Sequence, residues 1–255
     1  MEVVLKEGKY IYCIINSKSP QSFGPLGIGG RGDELYTISF DDISAVVSNS
    51  PIIKYSISRE NTLAHEKAIE EVMKEYTVLP VRFGTIAEDE EKIKRILEKE
   101  HDRFLDLLKS LEGKKELGLK AVFKEESIYK EILEKYKDIR ALKEKVGALL
   151  FEKTYYQRIE IGKMVEAALQ NEKEICKGDI LNTLSPLAIE VKVNNTYGER
   201  MIINVAFLIE KHRETDFDQK VSELDARYID KINFKYIGTV PPFNFVNLVI
   251  ETGKY

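Results

Sequence analysis

The sequence predicts an α+β protein of two domains: an N-terminal α+β domain over residues 1–113, and a ferredoxin-like domain with a helical insertion over residues 114–239. Three observations point there. Apolar residues recur with a period of two in some segments and of three to four in others, so strands and helices both occur. From Glu116 onward the elements run strand, helices, strand, strand, helix, strand, which is the ferredoxin-like order with extra helix after its first strand. The chain has 255 residues, of which 43% are hydrophobic; a typical domain takes roughly 100–200 residues, so packed cores in one large or two modest domains are expected.

Residues 9–16 form a β-rich run. Residues 17–32 hold Pro20, Pro25 and five glycines and read as a loop. Residues 35–40 and 43–48 are short strands, and Asp41 and Asp42 between them predict a tight hairpin. Residues 58–76 predict a helix capped by Ser58, with His65, Ala68, Ile69, Val72, Met73 and Tyr76 on one face. Residues 78–86 read as a strand in which Pro80 marks the beginning or a sheet edge. Residues 88–111 predict a helix with a stripe of Ile93, Ile96, Leu97, Phe104, Leu108 and Leu111, ended by Gly113.

Leu117, Leu119, Ala121 and Phe123 alternate, so a strand follows. Residues 125–150 and 155–169 are helical, with a bend near Gly147 or Lys153, and a short helix occupies 173–184 before Pro186. Leu187, Ile189, Val191 and Val193 alternate with polar residues, as in a strand with one wet face. Residues 201–209 are almost continuously apolar, which predicts a central strand. Phe217, Val221, Leu224 and Tyr228 mark a helix, and residues 232–237 the last regular strand. Residues 240–255 form an extended tail that packs back on the protein. Its two prolines hold it extended, with Phe243, Phe245 and Asn247 on one side and Asn244, Val246 and Leu248 on the other.

Thirty-nine basic and 43 acidic residues leave a net charge of −4, so no bulk attraction to nucleic acid or an anionic membrane is expected. No apolar run approaches the about 20 residues that span a bilayer. The first ten residues lack the pattern of a secretory signal. The expectation is a soluble, intracellular protein. Cys13 and Cys176 form no CxxC pair. Cys13 sits in an apolar run and reads as a buried free thiol, with a single disulfide left open.

The three histidines show no metal-ligand spacing. His65 lies on an apolar helix face and reads as a core histidine bonded to a backbone carbonyl; His101 and His212 read as solvated. The glycine-rich residues 27–32 lack a following helix to cradle phosphate and read as a mobile loop. Asp41, Asp42 and the acidic start of the 88–111 helix read as a turn and as a match to the helix dipole. The central strands carry no RNA-recognition pattern. No cofactor, metal or catalytic group is expected. Arg82, set among Leu79, Val81 and Phe83, is expected to be structural; if buried, it would need a carboxylate or several carbonyls as partners.

Four motifs spread over the chain resemble the gas vesicle F/L accessory family. The first is Tyr10-Ile-Tyr12. The second is His65 followed by Val78 to Thr85, which contains Leu79, Pro80, Arg82, Phe83, Gly84 and Thr85. The third is Glu116 to Lys120, with Gly118, and the fourth runs from Tyr236 through Gly238 to Pro241, Pro242, Phe243, Asn244 and Phe245. Val240 departs from the aromatic that members often carry before the prolines. The resemblance implies a non-enzymatic, cytoplasmic protein associated with gas vesicles, whose partners are the hydrophobic shell protein and other accessory proteins. It leaves open the roles of chaperone, nucleator and minor shell component. The alternative is a ferredoxin-like, small-molecule-binding regulatory protein.

Overall fold

The computed structural model describes residues 5–149, 154–246 and 248–254. The opening four residues, Leu150, the bend near Lys153 and the side assigned to Asn247 lie outside the described residues. Two compact units divide the chain: residues 1–116 with 239–255, and residues 117–238.

The first unit is built on a sheet of β1 (Glu7–Asn16), β2 (Ser22–Gly24), β3 (Leu35–Phe40), β4 (Ile43–Pro51), β5 (Val78–Pro80) and β6 (Ile86–Ala87). Its order is β2-β3-β4-β1-β5, with β6 also paired to β1. Both faces of β1 and β4 are buried; α1 (Arg59–Met73) and α2 (Glu90–Leu111) cover them. Ser58 caps α1 by accepting from Asn61 N, and Asp89 caps α2 by accepting from Lys92 N, each satisfying a backbone donor that the first turn leaves open. A bulge between Ile11 and Cys13 breaks the alternation of β1. Tyr10, Tyr12, Cys13 and Ile15 therefore all enter the core that holds Ala68, Ile69 and Val72 of α1, whereas strict alternation would have divided them between two faces.

The sequence predicts one strand across 78–86. The structure has two short ones, because Gly84 sits at φ +81° and Thr85 Oγ1 donates to the Arg82 carbonyl at 2.7 Å, closing a turn that a Cβ at residue 84 would strain. The segment 17–32, expected to be a loop, is partly regular. It contains β2 and a 3-10 turn, Ile28–Gly30. Ile28 is fully buried, and its N–H donates to the Tyr12 hydroxyl at 2.7 Å.

The second unit contains β7 (Lys114–Phe123, entering from the first unit), α3 (Glu125–Lys135), α4 (Lys137–Gly147), α5 (Tyr155–Leu184), β8 (Glu190–Asn194), β9 (Met201–Glu210), α6 (Glu214–Arg227) and β10 (Ile232–Val240). The sheet order is β10-β7-β9-β8, so β9 is central and both its faces are largely buried. Two helix boundaries differ from the sequence expectation. The 125–150 helix breaks at Tyr136 into α3 and α4, and the segments 155–169 and 173–184 are one helix of 30 residues. Val193 on the edge strand β8 and Ile189 just before it are half exposed, so the apolar side there is itself partly wet. Among the described residues no helix is long and apolar enough to cross a membrane.

Candidate functional site

Most of the motif residues of the first unit meet around one buried histidine. His65 is 3% exposed on the inner face of α1. The Gly84 N–H donates to the Tyr10 hydroxyl at 2.8 Å, which directs the tyrosine's own proton to His65 Nδ1 at 3.2 Å. Nε2 then carries the ring proton and donates to the Val81 carbonyl at 3.2 Å. Burial pushes His65 down to about 4, and the Val81 carbonyl opposes this only in part. The ring is therefore neutral at ordinary pH with both nitrogens engaged. It stitches α1, β1 and the turn after β5 together, as a buried polar group must if it is not to be left unsatisfied. Tyr12 stacks on the same ring, with centroids 5.7 Å apart, and Phe83 meets it edge-on at 5.6 Å.

The C-terminal segment completes this cluster. Pro241 and Pro242 are buried. The chain then turns rather than extends: Phe245 N and Val246 N both donate to the Pro242 carbonyl. The expected alternation from Phe243 onward therefore does not form. Phe243 lies over His65 at 6.2 Å, while Phe245 is half-buried. Asn244 donates to the buried carboxylate of Glu116 from its backbone N at 3.0 Å and from Nδ2 at 2.5 Å. Leu248 bridges Val81 in parallel and accepts from Arg82 N at 3.2 Å, so the tail pairs with the residues just after β5, in which Leu79 pairs with Ile14 and Pro80 with Cys13. The Glu116–Asn244 clamp joins two of the motifs, but no spacing rule links residues 128 positions apart.

Arg82 is where the sequence expectation fails. Its side chain is exposed, and among the described residues no carboxylate pairs with it. A surface turn lets the guanidinium reach water, so the buried partner is not needed. It stands instead at the rim of a pocket of about 370 Å³ walled by His65, Pro80, Phe83, Phe243, Val246 and Leu248, with Thr62 and Glu66 beside them. Arg82 and Phe83 also line a second hollow of about 710 Å³, bounded by Ile52, Ile53, Ile57, Val249 and their neighbours.

Gly118, Lys120 and Gly238 belong to the second unit. A Cβ on Gly118 would meet Ile237 at an ordinary 3.6 Å, and one on Gly238 would meet open space; nothing in the structure explains either glycine. Lys120 is half-buried on β7. His101 is not simply solvated: its Nε2 lies 2.7 Å from Asp42 and its Nδ1 3.1 Å from Asp102. Hydrogen bonds to Asp102 and Asp42 raise its pKa and tie the β3–β4 hairpin to α2. Both cysteines are buried free thiols, each with its pKa raised by burial.

The family model for the gas vesicle synthesis protein GvpL/GvpF matches residues 8–247. Gas vesicle protein F of Nostoc sp. (strain PCC 7120) is 26% identical, covering 96% of this chain and 100% of that protein. Gas vesicle protein L1 of Halobacterium salinarum is 21% identical over 96% of this chain and 92% of its own length. The crystal structure of the gas vesicle protein GvpF from Anabaena sp. PCC7120 superposes with a TM-score of 0.80 at 25% identity, covering 95% of this chain and 99% of that one; GvpF from Microcystis aeruginosa gives 0.75 over 94% and 99%. The chain shares the mixed α/β fold of those structures, with two sheets and six α-helices among its described residues, and it belongs to the GvpL/GvpF family of gas vesicle synthesis proteins.

Proposed function

We propose that this chain is a non-enzymatic gas vesicle assembly protein of the cytoplasm, which binds the hydrophobic shell protein and other accessory proteins while the vesicle forms. The observation that carries this reading is the family match across residues 8–247. The exposed apolar side chains of the first unit support a protein partner. The near-balanced charge favours such a partner over nucleic acid. A protein that lines a gas space presents apolar surface before it assembles, and water disfavours that surface by roughly 25 cal/mol per Å². A partner that covers it, or that gathers the first subunits, offsets this.

The domain reading belongs with the proposal: an α+β domain to residue 113, a ferredoxin-like domain over 114–239, and a tail over 240–255 that packs back. The order β10-β7-β9-β8, with the first and third strands of that unit in the middle, supports the ferredoxin-like part. Of the motif residues, His65, Gly84, Thr85 and Tyr12 hold the first unit's loops, and Arg82, Phe83 and Phe243 present an interface. A small-molecule regulatory role draws support from the 370 Å³ pocket, but Phe243 in its wall is 40% exposed, and small-ligand sites enclose most of their ligand.

The test is a tagged full chain in cells that make gas vesicles and lack their own copy. Restored vesicles and co-purification of the shell protein are expected. Normal vesicles without the chain, or no shell protein on it, would overturn the reading.

A further inference from the structure

Around Arg82 the first unit bares an unusual amount of apolar surface. Ile57 is 86% exposed, and Ile52, Ile53, Leu63, Phe243 and Val249 are each about 40% exposed. Five of these six line the two hollows that share Arg82 and Phe83, apart from Leu63, which neighbours Thr62 in the chain. An apolar patch of this extent on a soluble unit marks an interaction surface.

The backbone beneath it decides what kind of chain can bind. Val81 N donates to the Tyr12 carbonyl, Arg82 N to Leu248 and Ile11 N to the Thr85 carbonyl. Gly84 N donates to the Tyr10 hydroxyl, and the Arg82 carbonyl accepts from Thr85 Oγ1. Most backbone groups along 81–85 are thus engaged, and Gly84 at φ +81° breaks the extended path, so the segment offers no continuous ladder to an added strand. A helix satisfies its own, and docks by apolar side chains three and four residues apart. Charge narrows the partner further. Arg82 sits between the two hollows without an ion-pair partner among the described residues, and Lys54 lines the second hollow with it. Glu251 is already paired with Lys254, and Glu66 belongs to the first hollow alone.

We infer that this surface binds an amphipathic helix of a partner protein, its apolar stripe filling the two hollows and a carboxylate beside the stripe pairing with Arg82. The assignment rests on the reading of the chain as a binder of an apolar vesicle protein, and names where and how it binds. A guanidinium suits this role because it takes a carboxylate in two parallel hydrogen bonds.

The experiment places a photo-crosslinking phenylalanine analogue at Phe243, Val249 or Leu63 of the full chain, and at Ile189, just before β8, as a control, in cells forming gas vesicles. Cross-linked peptides are sequenced. The expected product from the three test positions is one helical segment of a vesicle protein, with apolar residues at three- and four-residue spacing and an Asp or Glu among them. Arg82→Glu should lower its yield about tenfold, Arg82→Gln less, and changing the partner's acid to Lys should restore yield with Arg82→Glu. Melting curves of both Arg82 variants should match wild type. The inference falls if the products come only from Ile189, are a second copy of this chain or lipid, lack a carboxylate, or are indifferent to Arg82→Glu. If the chain is still required for vesicles in that case, the functional reading survives; if vesicles form without the chain, that reading falls whatever is cross-linked.

Discussion

Replacing His65 with Gln tests whether the buried relay is the hinge pin of the first unit. His65 has an ordinary value of 6.5 and is held at about 4. As pH falls, the unfolded chain takes up this proton near 6.5 and the folded chain only near 4. Between these values the unfolded state binds more protons, so stability rises with pH through the window. The contribution is complete above about 6.5 and lost by about 4. At 1.36 kcal/mol per pH unit the gap corresponds to about 3 kcal/mol. The variant should lose about 1–3 kcal/mol at pH 7, because the Tyr10 hydroxyl and Val81 carbonyl are left imperfectly paired. It should also lose the extra slope between pH 6.5 and 4. Urea unfolding followed by far-UV circular dichroism at several pH values measures both, and the wild-type-minus-variant difference removes the carboxylates common to the two. Parallel stability curves, or a His65 ring that titrates near 6.5 by NMR, would refute the reasoning.

Glu172→Ala should destabilise the second unit by about 3 kcal/mol, the low end for a broken buried ion pair, since Lys231 keeps Glu131 and Lys135 reaches water; hydrogen exchange along α5 reports it. Burial works against the Glu172 carboxylate, but hydrogen bonds from Lys135, Lys231 and Tyr136 outweigh it and hold the pKa below its ordinary value. That group's contribution should therefore be intact above its unfolded pKa and disappear as pH drops through the folded one. Asn244→Ala removes the side-chain half of the Glu116 clamp and should cost about 1.5–3 kcal/mol, with faster proteolysis or exchange of the tail as the readout. Arg82→Ala should change stability by no more than about 0.5 kcal/mol, as for surface substitutions generally; a large drop in melting temperature would mean that the guanidinium holds the fold.

Much of the architecture was legible because burial leaves a period in the sequence. The stripe from Ile93 to Leu111 and the nearly continuous apolar run of β9 each correspond to a face, or two faces, turned from water. The failures have equally local causes. Glu172, 1% exposed, occupies a core position of α5 between Leu169 and Cys176, at the three- and four-residue spacing. A carboxylate there looks like the end of an apolar stripe, and only its partners, Lys135 and Tyr136 at the end of α3 and Lys231 ahead of β10, make it a core residue. The bulge at Tyr12 hid the shared face of four β1 side chains, since alternation assumes an unbroken ladder.

The sequence by itself determined the element types, the family motifs and the core position of His65, because periodicity, turn chemistry and local pattern are properties of neighbouring residues. Tertiary structure alone decided that Arg82 faces water at the rim of a pocket, that Tyr12 pins a loop, and that Asn244 clasps Glu116. Those outcomes depend on which groups from distant segments arrive beside a side chain, and a charged or polar residue is buried or bared according to the partners it finds there.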